Sequence, residues 1–221
     1  MLPNGVRFDA VLFDCDGVLV DSEHITNQVV RDMLDERGWR MGLQECMEVF
    51  VGKTVMDERA RIERHTGQPL TPDWLDAFRA RRNALLETHI EAIPNVGKAL
   101  REVHALHQGR IACASGADRF KVELMLRKVG LHQYLEGRIF SGQETPRNKP
   151  HPDVYLAAAQ GLGVSAQRCA VVEDTLTGLA AGVAAGAAVL AYVPAGDGKP
   201  FMDAGAHCVF SDMAQLAALL G

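Results

Sequence analysis

A doubly wound α/β sheet with a helical insert after its first strand is the fold this sequence predicts, and three observations predict it. Short apolar runs alternate with longer helical patterns through much of the chain, as in a parallel sheet wrapped by helices. Several runs end in acids, hydroxyls or glycine, residues that turn the chain out of a strand. The span from about Ser22 to Ile90 has no strand pattern.

The first strand is expected over Phe8 to Phe13. The insert follows, with amphipathic patches at Asn27 to Glu36, Val55 to His65 and Trp74 to Glu87. Pro94 and Asn95 open the helix Val96 to Leu106, with proline at an early helical position. Strands at Arg110 to Ala114, Arg138 to Phe140, Cys169 to Val172 and Ala187 to Val193 alternate with helices at Arg119 to Val129, Asp153 to Gly161 and Leu176 to Ala185; a weaker strand covers Cys208 to Phe210. The Ala/Gly-rich run from Ala180 to Ala188 is not read as a linker, since it continues a helical pattern and leads directly into an apolar strand, its small residues allowing close approach of helix and sheet. The expected division is a core of residues 1–21 and 91–221 around an insert of residues 22–90.

A length of 221 residues with 48% hydrophobic and 23% charged side chains suits one large domain, or a domain carrying a smaller inserted one. Lys and Arg number 23 against 28 Asp and Glu, a formal charge of -5, so no global basic field is available to hold nucleic acid. No apolar stretch is long enough to cross a bilayer and no leader pattern opens the chain, so a cytoplasmic protein is expected. The five cysteines form no Cys-x-x-Cys pair and read as reduced, mostly buried thiols; the scattered histidines show no zinc spacing.

Chemistry concentrates at the ends of the predicted strands. Asp14-Cys15-Asp16-Gly17 closes the first strand with two carboxylates one residue apart, where ligands reach an open α/β sheet; alone it also reads as a polar turn. Ser115-Gly116 follows Ile111 to Ala114 and offers a hydroxyl and backbone N–H groups to phosphate oxygens. Lys149 stands before Pro150 and Pro152, a positive charge on a stiffened loop. Glu173-Asp174 follows Ala170 to Val172 and, with Asp14, supplies oxygen ligands for Mg²⁺; an acidic pair there also suits a helix cap. Together the four segments supply a nucleophile, cations and a second acid, the requirements of phosphoryl transfer through a carboxylate.

Those segments, in their order, resemble the haloacid dehalogenase superfamily, in its branch of sugar-phosphate phosphatases and β-phosphoglucomutases. The match runs through Phe13-Asp14-Cys15-Asp16-Gly17-Val18-Leu19-Val20-Asp21-Ser22-Glu23, Ser115-Gly116, Lys149-Pro150-His151-Pro152-Asp153 and Val172-Glu173-Asp174-Thr175 with Gly178 and Ala181-Gly182. The resemblance implies that Asp14 is the nucleophile and that Asp16 protonates the leaving alcohol, then activates water, its carbonyl binding Mg²⁺. It further implies that Ser115 and Lys149 hold the phosphoryl oxygens, that Asp174 ligates Mg²⁺, and that Glu173 does so directly or through the second shell. The insert would be the family's helical cap, closing over the core.

Substrate choice would then lie with the cap. Gly52-Lys53-Thr54 resembles the family's specificity loop, so Lys53 either meets the substrate or is a solvent-facing lysine at a helix start; Arg81 and Arg82 are further cap candidates. The implied function is a Mg²⁺-dependent phosphatase of a small phosphorylated metabolite, monomeric or a small homo-oligomer. The alternative is a β-phosphoglucomutase-like mutase. Thr26 stands where such a mutase places a histidine, with His24 two positions earlier, and Val55 replaces its arginine, so hydrolysis is favoured. Asp16 argues against a dehalogenase, and the large insert argues against a phospho-accepting receiver.

Overall fold

The computed structural model describes residues 7–221; residues 1–6, which the sequence assigns to the core segment, lie outside the described residues. The chain divides into two compact units, one of Met1–Val20 with Ala92–Gly221 and the other of Asp21–Glu91.

The first unit is built on six parallel strands, β1 (Ala10–Phe13), β2 (Ile111–Ser115), β3 (Ile139–Ser141), β4 (Cys169–Glu173), β5 (Ala188–Tyr192) and β6 (Cys208–Phe210), in the order β3-β2-β1-β4-β5-β6. The order in which successive strands are added reverses between β1 and β4, and this switch point is where open α/β sheets bind ligands. β1, β2 and β4 are buried along their whole length, which is why they read as unbroken apolar runs rather than alternating ones. The doubly wound parallel sheet is the fold the sequence predicts.

In the second unit four helices, α1 (Glu23–Asp35), α2 (Leu43–Phe50), α3 (Arg59–Thr66) and α4 (Pro72–His89), enclose their own apolar core, with Leu34, Cys46, Phe50, Ile62 and Phe78 among its members. α4 starts where Thr71 Oγ1 accepts the Trp74 N–H at 3.3 Å and Pro72 occupies the first turn. Trp74, Phe78, Arg82 and Leu86, four residues apart, form its buried stripe. Seven further helices belong to the first unit: α5 (Val96–Leu106), α6 (Arg119–Lys128), α7 (His132–Leu135), α8 (Asp153–Gly161), α9 (Leu176–Ala184), α10 (Lys199–Asp203) and α11 (Leu216–Leu220). Among the described residues, no helix is long and apolar enough to cross a membrane.

Several boundaries differ from the sequence reading. α3 begins at Arg59 rather than Val55, because the Thr54 N–H and hydroxyl both donate to Asp57 Oδ2, at 2.6 and 2.8 Å, and close a turn there. Pro94 lies outside α5: Asn95 occupies the cap position at φ 65°, and its amide reaches Asp212 at 2.8 Å. Ser115 and Glu173 are the last residues of their strands rather than the first beyond them, paired with Ser141 and Ala191. The small residues of α9 have the packing consequence expected of them. A Cβ on Gly182 would stand 2.7 Å from Val189, so the helix lies directly on the sheet.

Candidate active site

β1 delivers Asp14 to the switch point, where the Asp14 N–H still donates to the Val172 carbonyl of β4 at 3.0 Å. The next residues form a tight loop: the Leu19 and Val20 N–H groups return to the Cys15 carbonyl, and Gly17 adopts φ 78°, a conformation that favours glycine. A Cβ on Gly17 would fall 2.0 Å from Asp174 Oδ2, so this glycine is also what lets the Asp174 carboxylate lie against the loop.

Lys149 is the centre of the polar cluster. Its ammonium donates to Asp14 Oδ1 at 2.6 Å and to Glu173 Oε1 at 2.7 Å, and lies 4.7 Å from the centre of the Tyr155 ring. Side-chain exposure is 9% for Lys149, 10% for Asp14 and 1% for Glu173, so these charges stand outside bulk water. Glu173 is fully engaged. Its Oε1 also accepts the Tyr155 hydroxyl at 2.7 Å, and its Oε2 accepts the Asp174 N–H, the Thr175 N–H and the Thr175 hydroxyl at 3.1, 3.2 and 3.1 Å. α9 makes room for this carboxylate at Gly178, where a Cβ would stand 1.7 Å from Oε1.

Burial pushes the Asp14 carboxyl up to about 7; the Lys149 ammonium opposes the rise, and the Glu173 and Asp16 carboxylates add to it. Burial also works against the charge on Lys149, but Asp14 and Glu173 overcome it and hold that ammonium well above the usual lysine range. Oxygens of Asp14, Glu173 and Asp174 lie within 4.8 Å of one another, a grouping of hard donors that could hold a metal ion. The cluster thus gathers three carboxylates round one ammonium.

Ser115 and Gly116 occupy the end of the neighbouring strand, where the buried Ser115 hydroxyl accepts the Ala117 N–H at 3.1 Å and Ser141 Oγ donates to the Ala117 carbonyl at 2.6 Å. Asp16, two residues beyond Asp14, receives the Lys121 ammonium on Oδ1 at 2.5 Å. Lys53 belongs to the helical unit, where it pairs with Glu58 at 2.5 Å; Arg81 pairs there with Glu36. Arg82 is buried on α4, its guanidinium over the Phe78 ring and bonded to Asn83.

Lys121 and Tyr155 were hidden from sequence reasoning inside helical patterns. The legible signal for Lys121 was a lysine on the apolar stripe of α6, beside Val122 and in step with Met125. Tyr155 looked like an ordinary core aromatic on α8.

The fold and this constellation define a hydrolase class: the profile of the haloacid dehalogenase-like hydrolases matches residues 8–186, and the chain belongs to that family. The resemblance read from the motifs is therefore borne out. Among curated proteins, the chain is 28% identical over 197 residues to a 6-phosphogluconate phosphatase of Escherichia coli, covering 89% of this chain and 87% of that protein. It is 29% identical over 183 residues to a fructose-1-phosphate phosphatase of the same organism, covering 81% and 94%. Among solved structures, a hydrolase of this family from Deinococcus radiodurans, with bound phosphate and sodium, is 38% identical and superposes with a TM-score of 0.76 over 97% of this chain and 96% of that one.

Proposed function

We propose that this hydrolase is a Mg²⁺-dependent phosphatase acting on a small phosphorylated metabolite, a sugar phosphate or sugar-acid phosphate, by way of a phosphoryl group carried on Asp14. The observation that carries the proposal is the buried contact of Asp14 with the Lys149 ammonium at the switch point. A carboxylate attacks phosphorus only when repulsion from the phosphoryl oxygens is offset. Lys149 supplies a fixed positive charge for that purpose, and the Ser115 hydroxyl with the backbone N–H groups around Gly116 supplies hydrogen bonds. The names of the two Escherichia coli relatives support the substrate class.

The donor set fits Mg²⁺, since every candidate ligand is a hard oxygen and the carboxylates outnumber the ammonium. Asp14, Asp174 and the Asp16 carbonyl are assigned as its holders. When bound, the ion neutralises charge on the phosphoryl oxygens. Glu173, with both oxygens already accepting hydrogen bonds, fixes Lys149 and the Asp174 turn in place. Asp14 attacks phosphorus, Asp16 gives a proton to the leaving oxygen, and the Asp16 carboxylate then takes a proton from the attacking water. Lys121 holds Asp16 at its station between those steps. The helical unit takes the part of a cap that excludes bulk water, and substrate choice is assigned to it, with Lys53 and Arg82 as the cations to test.

Hydrolysis is preferred to mutase chemistry because a mutase needs a cationic clamp for the second phosphate. Val55 stands at the position the resemblance gives to that arginine, and it is buried in the core of the helical unit. The test is a panel of phosphorylated sugars, sugar acids and short-chain phosphates with Mg²⁺, read as released phosphate. Turnover on at least one, abolished by chelator and restored by Mg²⁺, is expected, and Asp174→Ala should raise the Mg²⁺ concentration required. Isomerisation of β-glucose 1-phosphate with little phosphate release would overturn hydrolysis in favour of the mutase.

A further inference from the structure

Asn148 joins the two loops to which phosphoryl binding is assigned. Its Nδ2 donates to the Gly116 carbonyl at 2.9 Å, and its Oδ1 accepts the backbone N–H of Lys149 at 2.8 Å. The partners fix which end of the amide is which, since only nitrogen can donate to a carbonyl and only oxygen can accept from an N–H. The amide lies in a slot that two glycines keep open. A Cβ on Gly142 would stand 2.1 Å from Oδ1, and one on Gly116 would stand 3.2 Å from it. Thus one side chain, seated where the residues just beyond β2 and β3 are glycines, ties the Gly116 carbonyl to the backbone that carries Lys149.

We propose that Asn148 is a positioning residue that sets the spacing between the Ser115-Gly116 loop and Lys149, and that Gly142 serves catalysis by leaving room for its amide. The proposal rests on the reading of Ser115, Gly116 and Lys149 as the phosphoryl-binding groups. Lys149 reaches both Asp14 and Glu173 from a loop, and the bond to Asn148 Oδ1 anchors that loop at the lysine itself. Displacement of a positioned group by about 1 Å is enough to cost roughly 100-fold in rate.

A double-mutant cycle tests the proposal, with p-nitrophenyl phosphate and Mg²⁺ for turnover, vanadate inhibition for phosphoryl-site affinity, and thermal unfolding for the fold. Asn148→Ala and Gly142→Ala should each lower kcat/KM by about 10- to 100-fold and weaken vanadate inhibition in parallel. Asn148→Asp, which keeps the acceptor for Lys149 but loses the donor to Gly116, should also lose activity, and it serves as the near-isosteric substitute if Asn148→Ala does not fold. The distinguishing result is non-additivity: in an Asn148→Ala background, Gly142→Ala should cost almost nothing further, because its methyl group no longer meets an amide. Wild-type kcat/KM and vanadate inhibition in folded Asn148→Ala or Asn148→Asp would overturn the proposal, as would an equal cost of Gly142→Ala in both backgrounds. Asp14→Asn separates the two levels of argument. Retained turnover there sinks the phosphatase reading, whereas a dead Asp14→Asn beside normal Asn148 variants sinks this inference alone.

Discussion

The two ends of β1 and β4 carry similar charges in opposite circumstances. Before the strands, Asp9 meets Arg168 through two hydrogen bonds, with 36% and 59% of the side chains exposed. Beyond them, Asp14 and Glu173 meet Lys149 with 10%, 1% and 9% exposed. An exposed pair is screened by water and contributes little. A buried cluster bears the cost of desolvation and persists only where further hydrogen bonds satisfy its remaining lone pairs, as Tyr155 and Thr175 do for Glu173. Burial, more than the number of charges, marks the carboxyl edge as the place for chemistry.

The strongest way to break this contrast is Lys149→Met. It removes a cation shared by two buried carboxylates, so turnover should fall by about 100- to 1,000-fold or more, judged from the loss of a single preorganised donor elsewhere. Unfolding should also shift to lower temperature, since Asp14 and Glu173 are left without their charge partner. Near-normal kcat in this variant would remove Lys149 from the chemistry.

Asp9→Asn is the matched change at the amino edge. It weakens the contact with Arg168, which holds the Asp9 carboxyl below the usual carboxylate value, but leaves the Arg110 bond to the Asp9 carbonyl intact. Steady-state kinetics should be unchanged and the unfolding temperature only slightly lower; a large loss of activity would contradict the division between the two edges.

The smallest effect concerns His107, also near the amino edge. Burial and the nearby Arg110 charge lower its pKa below the ordinary 6.5, its backbone contact with Phe8 and the Asp9 charge oppose the shift, and its Nε2 is buried without a hydrogen-bond partner. A histidine depressed in the folded state takes up its proton more readily when unfolded. Its contribution is therefore fully present above the unfolded value and is lost as pH falls from about 6.5 through the folded pKa. Thermal unfolding between pH 7.5 and 5 should show part of the wild-type decline missing in His107→Leu. Identical pH profiles would show that His107 carries no such linkage. The amino edge thus buries a titratable group by discharging it, while the carboxyl edge buries charges by pairing them.

Much of this was legible in the sequence because β1, β2 and β4 are buried throughout and so stand out as apolar runs ending in polar residues. Their exact ends were less legible. Ser115 and Glu173 look like turn residues, yet both remain in the ladder because their polar atoms find partners at the sheet edge. α2 escaped notice because its place depends on Cys46, Val49 and Phe50 packing in the helical unit. Tertiary pairing, as of Lys121 with Asp16 across 105 positions of sequence, leaves no local pattern to read.

The central claim is that Asp14 carries the phosphoryl group, and trapping tests it most directly. Wild-type enzyme, quenched with acid during turnover of its best substrate and treated with borohydride, is digested and sequenced by mass spectrometry beside Asp14→Asn. An aspartyl phosphate is reduced to homoserine, so the account predicts homoserine at position 14 of the wild type alone, with Asp14→Asn folded but slower by at least about 1,000-fold. Modification at another residue, or full turnover by a pure Asp14→Asn sample, would contradict it.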